Sequence, residues 1–186
     1  APYSDYAPKA LYTIAGLYRE TDEELSAIDA YERLLGSYPK SPLAADAYLN
    51  AGDIYRGMVA GAPYDQGATN AAIRYYEDFV ALYPDDERVT ETKGKLAQMR
   101  EVLAQSKYNL ALYYLEKRGN QAAAASLLKE TIQIAPESQS ALKSQKILED
   151  IAEGNVSRSS TTQKVLDTLT FWKKNDKNNT ESKTQP

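Results

Sequence analysis

The chain of 186 residues contains no histidine and no cysteine, which removes imidazole bases, thiolate nucleophiles and the common zinc ligand sets from its chemistry. Its formal net charge is −4 with the two signs interspersed, so it lacks the basic stripe that a phosphate backbone needs, and nucleic acid is not an expected partner. Hydrophobic residues make up 42%, enough for a folded core, but they are dominated by alanine and by fifteen tyrosines, against two phenylalanines and one tryptophan.

Alanine lets helices approach closely, and tyrosine fills the remaining gap while keeping a wet hydroxyl. That mix suits a thin helical array better than a thick globular core. No apolar run approaches the roughly 18 to 20 residues needed to span a bilayer. The chain opens Ala-Pro-Tyr without an initiator methionine, which reads as a mature or trimmed product with its address upstream. The missing cysteines fit an oxidising compartment and a cytosolic one equally.

Residues 7–20 read as a first helix, with Leu11, Ile14, Ala15 and Tyr18 on one face. Thr21 with Glu24 has the form of a capping box and starts a second helix, which carries Leu25, Ile28, Tyr31, Leu34 and Leu35. It stops at Tyr38-Pro39, because proline disfavours helical geometry in the residue before it. Ser41-Pro42 marks the start of a third helix over about 42–58. A long loop with Gly57, Gly61, Pro63, Tyr64, Asp65 and Gly67 leads to a fourth helix, from Gln66 or Thr69 to Leu82, closed by Tyr83-Pro84.

Asp85, Asp86 and Glu87 place negative charge at the amino end of a fifth helix, where the macrodipole favours it. This helix continues to about Lys117, and some 30 residues would span about 45 Å. Val89, Leu96, Leu103 and Leu110 recur every seven residues, as a coiled-coil seam or as the half-buried face of a long repeat helix. Gly94 interrupts the run, and the second reading is the one expected. Gly119-Asn120 turns the chain into helices over 121–135 and 139–153, with Gly154-Asn155 as a C-cap. An eighth helix over about 162–174 carries Val165, Leu166, Leu169 and Trp172, and 175–186 reads as a disordered polar tail.

One short pattern recurs in register. Ala27–Tyr31–Pro39, Ala72–Tyr76–Pro84 and Ala124–Leu128–Pro136 share a spacing, each preceded by a small residue and a tyrosine three apart: Ala15–Tyr18, Gly52–Tyr55 and Ala111–Tyr114. The pattern resembles the tetratricopeptide repeat, whose helix pairs place small residues where they cross. It predicts an all-α superhelix of about four stacked hairpins (7–39, 42–84, 86–136 and 139–174), one of them containing the long helix. The prolines are separated by 45 and 52 residues rather than the basic period of 34. The excess lies in the 57–67 loop and in the long helix ending Tyr113-Tyr114-Leu115-Glu116-Lys117-Arg118-Gly119. With Tyr38-Pro39-x-Ser41 and the run from Ala62 to Gln66, these features are similar to the BamD type of outer-membrane assembly lipoprotein, over about residues 2–174.

That resemblance implies a non-enzymatic scaffold, without cofactor or metal, on the periplasmic face of the outer membrane. It implies docking of the C-terminal repeats on the POTRA domains of a BamA-like subunit, contact with other assembly subunits, and handling of unfolded outer-membrane substrates by the N-terminal repeats. Attachment to the membrane would run through a lipidated cysteine upstream, together with a first repeat that this chain lacks. Two other readings stand beside it. One is a generic repeat adaptor of the envelope (Tol-Pal-associated type) or of the cytosol that binds extended peptides; the other is an enzyme whose catalytic part lies elsewhere.

The concave face of a repeat array is its default binding surface. The repeat alignment puts Tyr12, Gly16 and Arg19 there from the first hairpin, Leu49, Asn50, Asp53 and Arg56 from the second, and Asn109 from the third. Arginine, asparagine and tyrosine together can hold an extended peptide, the guanidinium on carboxylate and the amide on backbone, or they can form a wetted helix surface. Tyr64 and Asp65 in the long loop and Lys117 and Arg118 at the end of the long helix are further candidates for partner contact. Trp172 reads as the closure of the last hairpin. Beside it Lys173, Lys174 and Lys177 offer a weak membrane-surface contact, diluted by Asp176 and Glu181. The carboxylates at 85–87 read as a helix cap rather than a cation site.

Overall fold

The computed structural model describes residues 6–61 and 66–155, and every regular element among them is an α-helix. In chain order these are α1 (Tyr6–Glu20), α2 (Glu24–Ser37), α3 (Ala44–Gly61), α4 (Gln66–Leu82), α5 (Val89–Glu116), α6 (Gln121–Ile134) and α7 (Gln139–Ala152). They fall in two compact units, residues 1–106 and 107–186. The loop residues Tyr64 and Asp65, the eighth helix, Trp172 and the tail lie outside the described residues.

In the first unit α1 pairs with α2, α3 with α4, and α2 with α3. The repeat signature supplies the contacts. Ala15, Ala27, Leu34, Ala44, Ala47, Ala51, Ala72 and Tyr76 are fully buried, and Tyr31 nearly so. Small side chains bring the axes together, and tyrosine rings fill the space beside them: Tyr12 packs edge-on to Tyr31 at 5.7 Å, and Tyr55 stacks on Tyr75 at 5.7 Å. Gly52 marks the tightest approach, since a Cβ there would lie 2.7 Å from Tyr76 Cε1. Leu96 and Met99 of α5 pack on Ala72 and Tyr76, and Val89 packs with Ala45 and Phe79. The heptad row is therefore the inner face of a repeat helix, and Leu110, the fourth member, is exposed.

The prolines act as expected. Pro39, Pro84 and Pro136 each sit two residues beyond the end of α2, α4 or α6, and Tyr38 and Ala135 before them have left helical geometry at ψ 52° and 76°. Three local expectations are corrected. Thr21 does not cap α2: its hydroxyl turns back to the carbonyls of Leu17 (3.3 Å) and Tyr18 (3.1 Å), Asp22 takes a left-handed φ of 59°, and α2 begins after Glu23 with no side-chain cap. Ile14 and Leu25, read as core, are exposed, although their spacing matches the core period. Ser41 does accept the Leu43 N–H at 3.2 Å, although regular helix starts only at Ala44.

In the second unit α6 packs on α7 through Ala124, Leu128 and Ala141, all fully buried. Thr131 and Ser144 are buried with them and return their hydroxyls to the carbonyls four residues back, at 2.9 and 2.7 Å. Both helices have side-chain caps: Asn120 accepts from the Ala123 N–H and Ser138 from the Ala141 N–H, each at 3.0 Å. Gly119, at φ 61°, makes the turn that precedes α6.

Candidate functional site

On α3, Asp46, Leu49, Asn50, Asp53 and Arg56 follow one another at helical spacing and form a single stripe. The opposite side of that helix is committed to the core through Ala47, Ala51 and Ile54. Tyr12 of α1 flanks the stripe on one side; Arg88, just before α5, and Glu91, Thr92 and Lys95 within it flank the other. These walls enclose an open cavity of about 350 Å³ lying wholly in the first unit.

Two polar networks line it. On the α1 side Arg19 donates to Asn50 Oδ1 at 2.7 Å, and Asn50 Nδ2 donates to the Tyr12 hydroxyl at 3.0 Å. On the α5 side Asp53 accepts from the Tyr76 hydroxyl at 2.6 Å and from Lys95 Nζ at 3.1 Å to each oxygen, with Arg56 Nε 3.5 Å away. Glu91 holds the same lysine at 3.2 Å. Arg88 is gripped in a fork by Asp86 (2.9 and 2.8 Å), reaches Asp46 at 2.5 Å, and lies over the Phe79 ring at 5.6 Å.

The titration of these groups follows their surroundings. Burial opposes ionisation of Asp53, but the Tyr76 hydroxyl and the Lys95 ammonium outweigh it and hold the carboxyl below its usual range. Burial, and then the bond to Asp53, push the Tyr76 phenol well above its ordinary value. The Arg88 fork draws the Asp86 carboxyl down to about 2, and Asp86 in turn raises the arginine. Of the carboxylates at 85–87, Asp86 serves the turn that opens α5, its Oδ1 accepting the Arg88 N–H at 2.9 Å while its two oxygens position the Arg88 guanidinium.

The structure brings together Tyr12, Leu49, Asn50 and Asp53 on the cavity wall, with Arg19 and Arg56 attached through Asn50 and Asp53. Gly16 is not among the residues lining the cavity, and a Cβ added there would meet nothing within 4 Å. Asn109, Lys117 and Arg118 belong to the second unit, where Arg118 lies over the Tyr113 ring at 5.7 Å and donates to its hydroxyl at 3.2 Å. Sequence reasoning missed Asp46, Arg88, Glu91, Thr92 and Lys95. Asp46 was legible, since it lies one helical turn before Leu49 and Asn50, on the stripe already identified.

The arrangement offers paired charges, amide and phenol hydrogen-bonding groups and one aliphatic side chain, which is equipment for holding a partner. Among the described residues no cluster of carboxylates is arranged to hold a metal ion, and no helix is long and apolar enough to cross a membrane. The family model for YfiO, described as an outer membrane lipoprotein, matches residues 1–161. The outer membrane protein assembly factor BamD of Caulobacter vibrioides is 26% identical over 132 residues, covering 71% of this chain and 43% of the relative. The protein of the same name from Xylella fastidiosa is 25% identical over 147 residues, covering 73% of this chain and 50% of the relative. The chain thus spans half or less of the curated relatives it matches.

Proposed function

Because the chain belongs to the YfiO family of outer membrane lipoproteins, we propose that it is a non-enzymatic scaffold of the machinery that folds and inserts β-barrel proteins. In this reading it works on the periplasmic side of the outer membrane, docks on the POTRA domains of a BamA-like subunit, and holds extended segments of unfolded outer-membrane proteins in the cavity beside α3. The family match over residues 1–161 carries the assembly role. Support for a holding role comes from the α3 stripe, where amide, phenol and paired charges line an open cavity in place of a reactive constellation.

The docking half of the proposal predicts Arg118 and the neighbouring Lys117 as contacts, since arginine and tyrosine are each enriched at interface hot spots and Arg118 lies over the exposed Tyr113 ring at a helix end. The test is binding of the purified chain to purified POTRA fragments by calorimetry. Micromolar association, weakened by Arg118→Ala, is expected. If no heat of binding appears at micromolar concentration with either the natural chain or the variant, the scaffold reading loses its docking half.

A further inference from the structure

We propose that the cavity beside α3 selects its ligand by main-chain hydrogen bonding rather than by charge, and takes an extended, uncharged peptide segment; this rests on the peptide-holding role proposed above. Each cation on its walls is already engaged by carboxylates of the same unit. Arg88 binds both oxygens of Asp86 and one of Asp46, and Lys95 sits 3.1 Å from both oxygens of Asp53 and 3.2 Å from Glu91. A ligand carboxylate reaches either cation only by displacing a half-buried aspartate, which is then left without its partner. Such an exchange gives no net attraction.

The neutral groups, by contrast, have capacity to spare. The Tyr12 hydroxyl accepts from Asn50 and keeps its own hydrogen to donate, and Asn50, with its oxygen taken by Arg19, retains a second N–H. One acceptor faces the same space: Asp46 binds Arg88 through Oδ1 and leaves Oδ2, whereas Thr92 is fully buried with its hydroxyl committed to the Arg88 carbonyl at 2.8 Å. These donors and that acceptor lie along α1 and α3 and complement the carbonyls and N–H groups of an extended chain. Leu49 beside the Tyr12 ring seats one apolar side chain, and a cavity of about 350 Å³ suits a short stretch of chain rather than a folded surface.

The test is fluorescence anisotropy with the full chain and a short labelled peptide alternating valine or tyrosine with threonine or glutamine. The peptide is made as free acid, as amide, and with aspartate or lysine replacing its central threonine. The acid and amide should bind within about twofold of each other, and equally little should change between low and physiological salt. Aspartate should weaken binding about tenfold, lysine should bring no gain, and Tyr12→Phe should weaken the uncharged peptide about fivefold with helicity unchanged. Loss of binding on amidation would mark a terminal-carboxylate site and overturn the inference. Tighter binding of the lysine peptide would overturn it in favour of a basic ligand. If no peptide binds while POTRA fragments still do, both this inference and the peptide-holding half of the proposed function fall, and the docking half stands.

Discussion

Replacing Gly52 with alanine sets two effects of opposite sign against each other. Glycine inside a helix is less favourable than alanine by about 1 kcal/mol, so propensity alone predicts a gain. The structure predicts a loss. The added Cβ would stand 2.7 Å from Tyr76 Cε1, 2.9 Å from Cδ1 and 3.2 Å from Cζ, along one edge of a ring that is fully buried. Ordinary carbon contacts need about 3.5 to 4.0 Å, so the ring has to retreat by most of an ångström. It is pinned at its far end by the 2.6 Å bond from its hydroxyl to Asp53. Overpacking of this kind costs about 1 to 3 kcal/mol, and disturbing a hydrogen bond to a charged acceptor adds to it, so the net effect of Gly52→Ala is a destabilisation of about 1 to 2 kcal/mol. Gly57→Ala and Gly94→Ala are the controls. Both sites are exposed, lie in helices of the same unit, have nothing within 4 Å of the added carbon, and should gain about 0.5 to 1 kcal/mol. Urea denaturation followed by circular dichroism on the three variants gives the order. If Gly52→Ala stabilises as much as the other two, α3 and α4 do not cross closely at Gly52.

Three further outcomes follow from the same contacts. Tyr76→Phe should cost about 1.5 to 3 kcal/mol, because it removes a buried donor to an ionised acceptor, and the Asp53 carboxyl resonance should titrate at higher pH; an unmoved titration would refute the bond. Asp86 is held down at about 2, so its contribution is present above an unfolded value near pH 4 and is lost as pH falls toward 2. Asp86→Asn should therefore make the acid limb of the stability profile shallower in that window, and a profile identical to the natural chain would count against the Arg88 fork. The two cap positions should also separate: Asn120→Ala should cost about 1 kcal/mol, and Thr21→Ala less than about 0.5, as measured by thermal denaturation.

The fold was legible because its signal is local and repeated. Ala27, Ala72 and Ala124 are each fully buried, and each belongs to a helix that stops two residues before a proline. A position that must be small to let two helices cross carries its reason within one turn of sequence. The failures have equally physical causes. Thr21 matched a capping box in type and spacing, but Asp22 in a left-handed conformation moves the helix start to Glu24 and leaves the hydroxyl facing the preceding turn. Ile14 and Leu25 matched the core period, yet burial depends on which neighbour is present on that side, and periodicity does not specify one.

The cavity divides along the same line. Its α3 wall was readable, because once Ala47, Ala51 and Ile54 are assigned to the core, Asn50 and Asp53 are left on the remaining face with Asp46 and Leu49 beside them. Its α5 wall was not, since Lys95 and Asp53 are 42 residues apart and meet only through the stacking of α5 on α4. That stacking is set by Tyr76, which packs against Leu96 and Met99, crowds Gly52 and sends its hydroxyl to Asp53. One residue of the repeat signature therefore serves both levels. Its ring spaces the helices and its hydroxyl fixes the charge pair on the cavity wall, so a change that alters the crossing at Gly52 must also alter the groove.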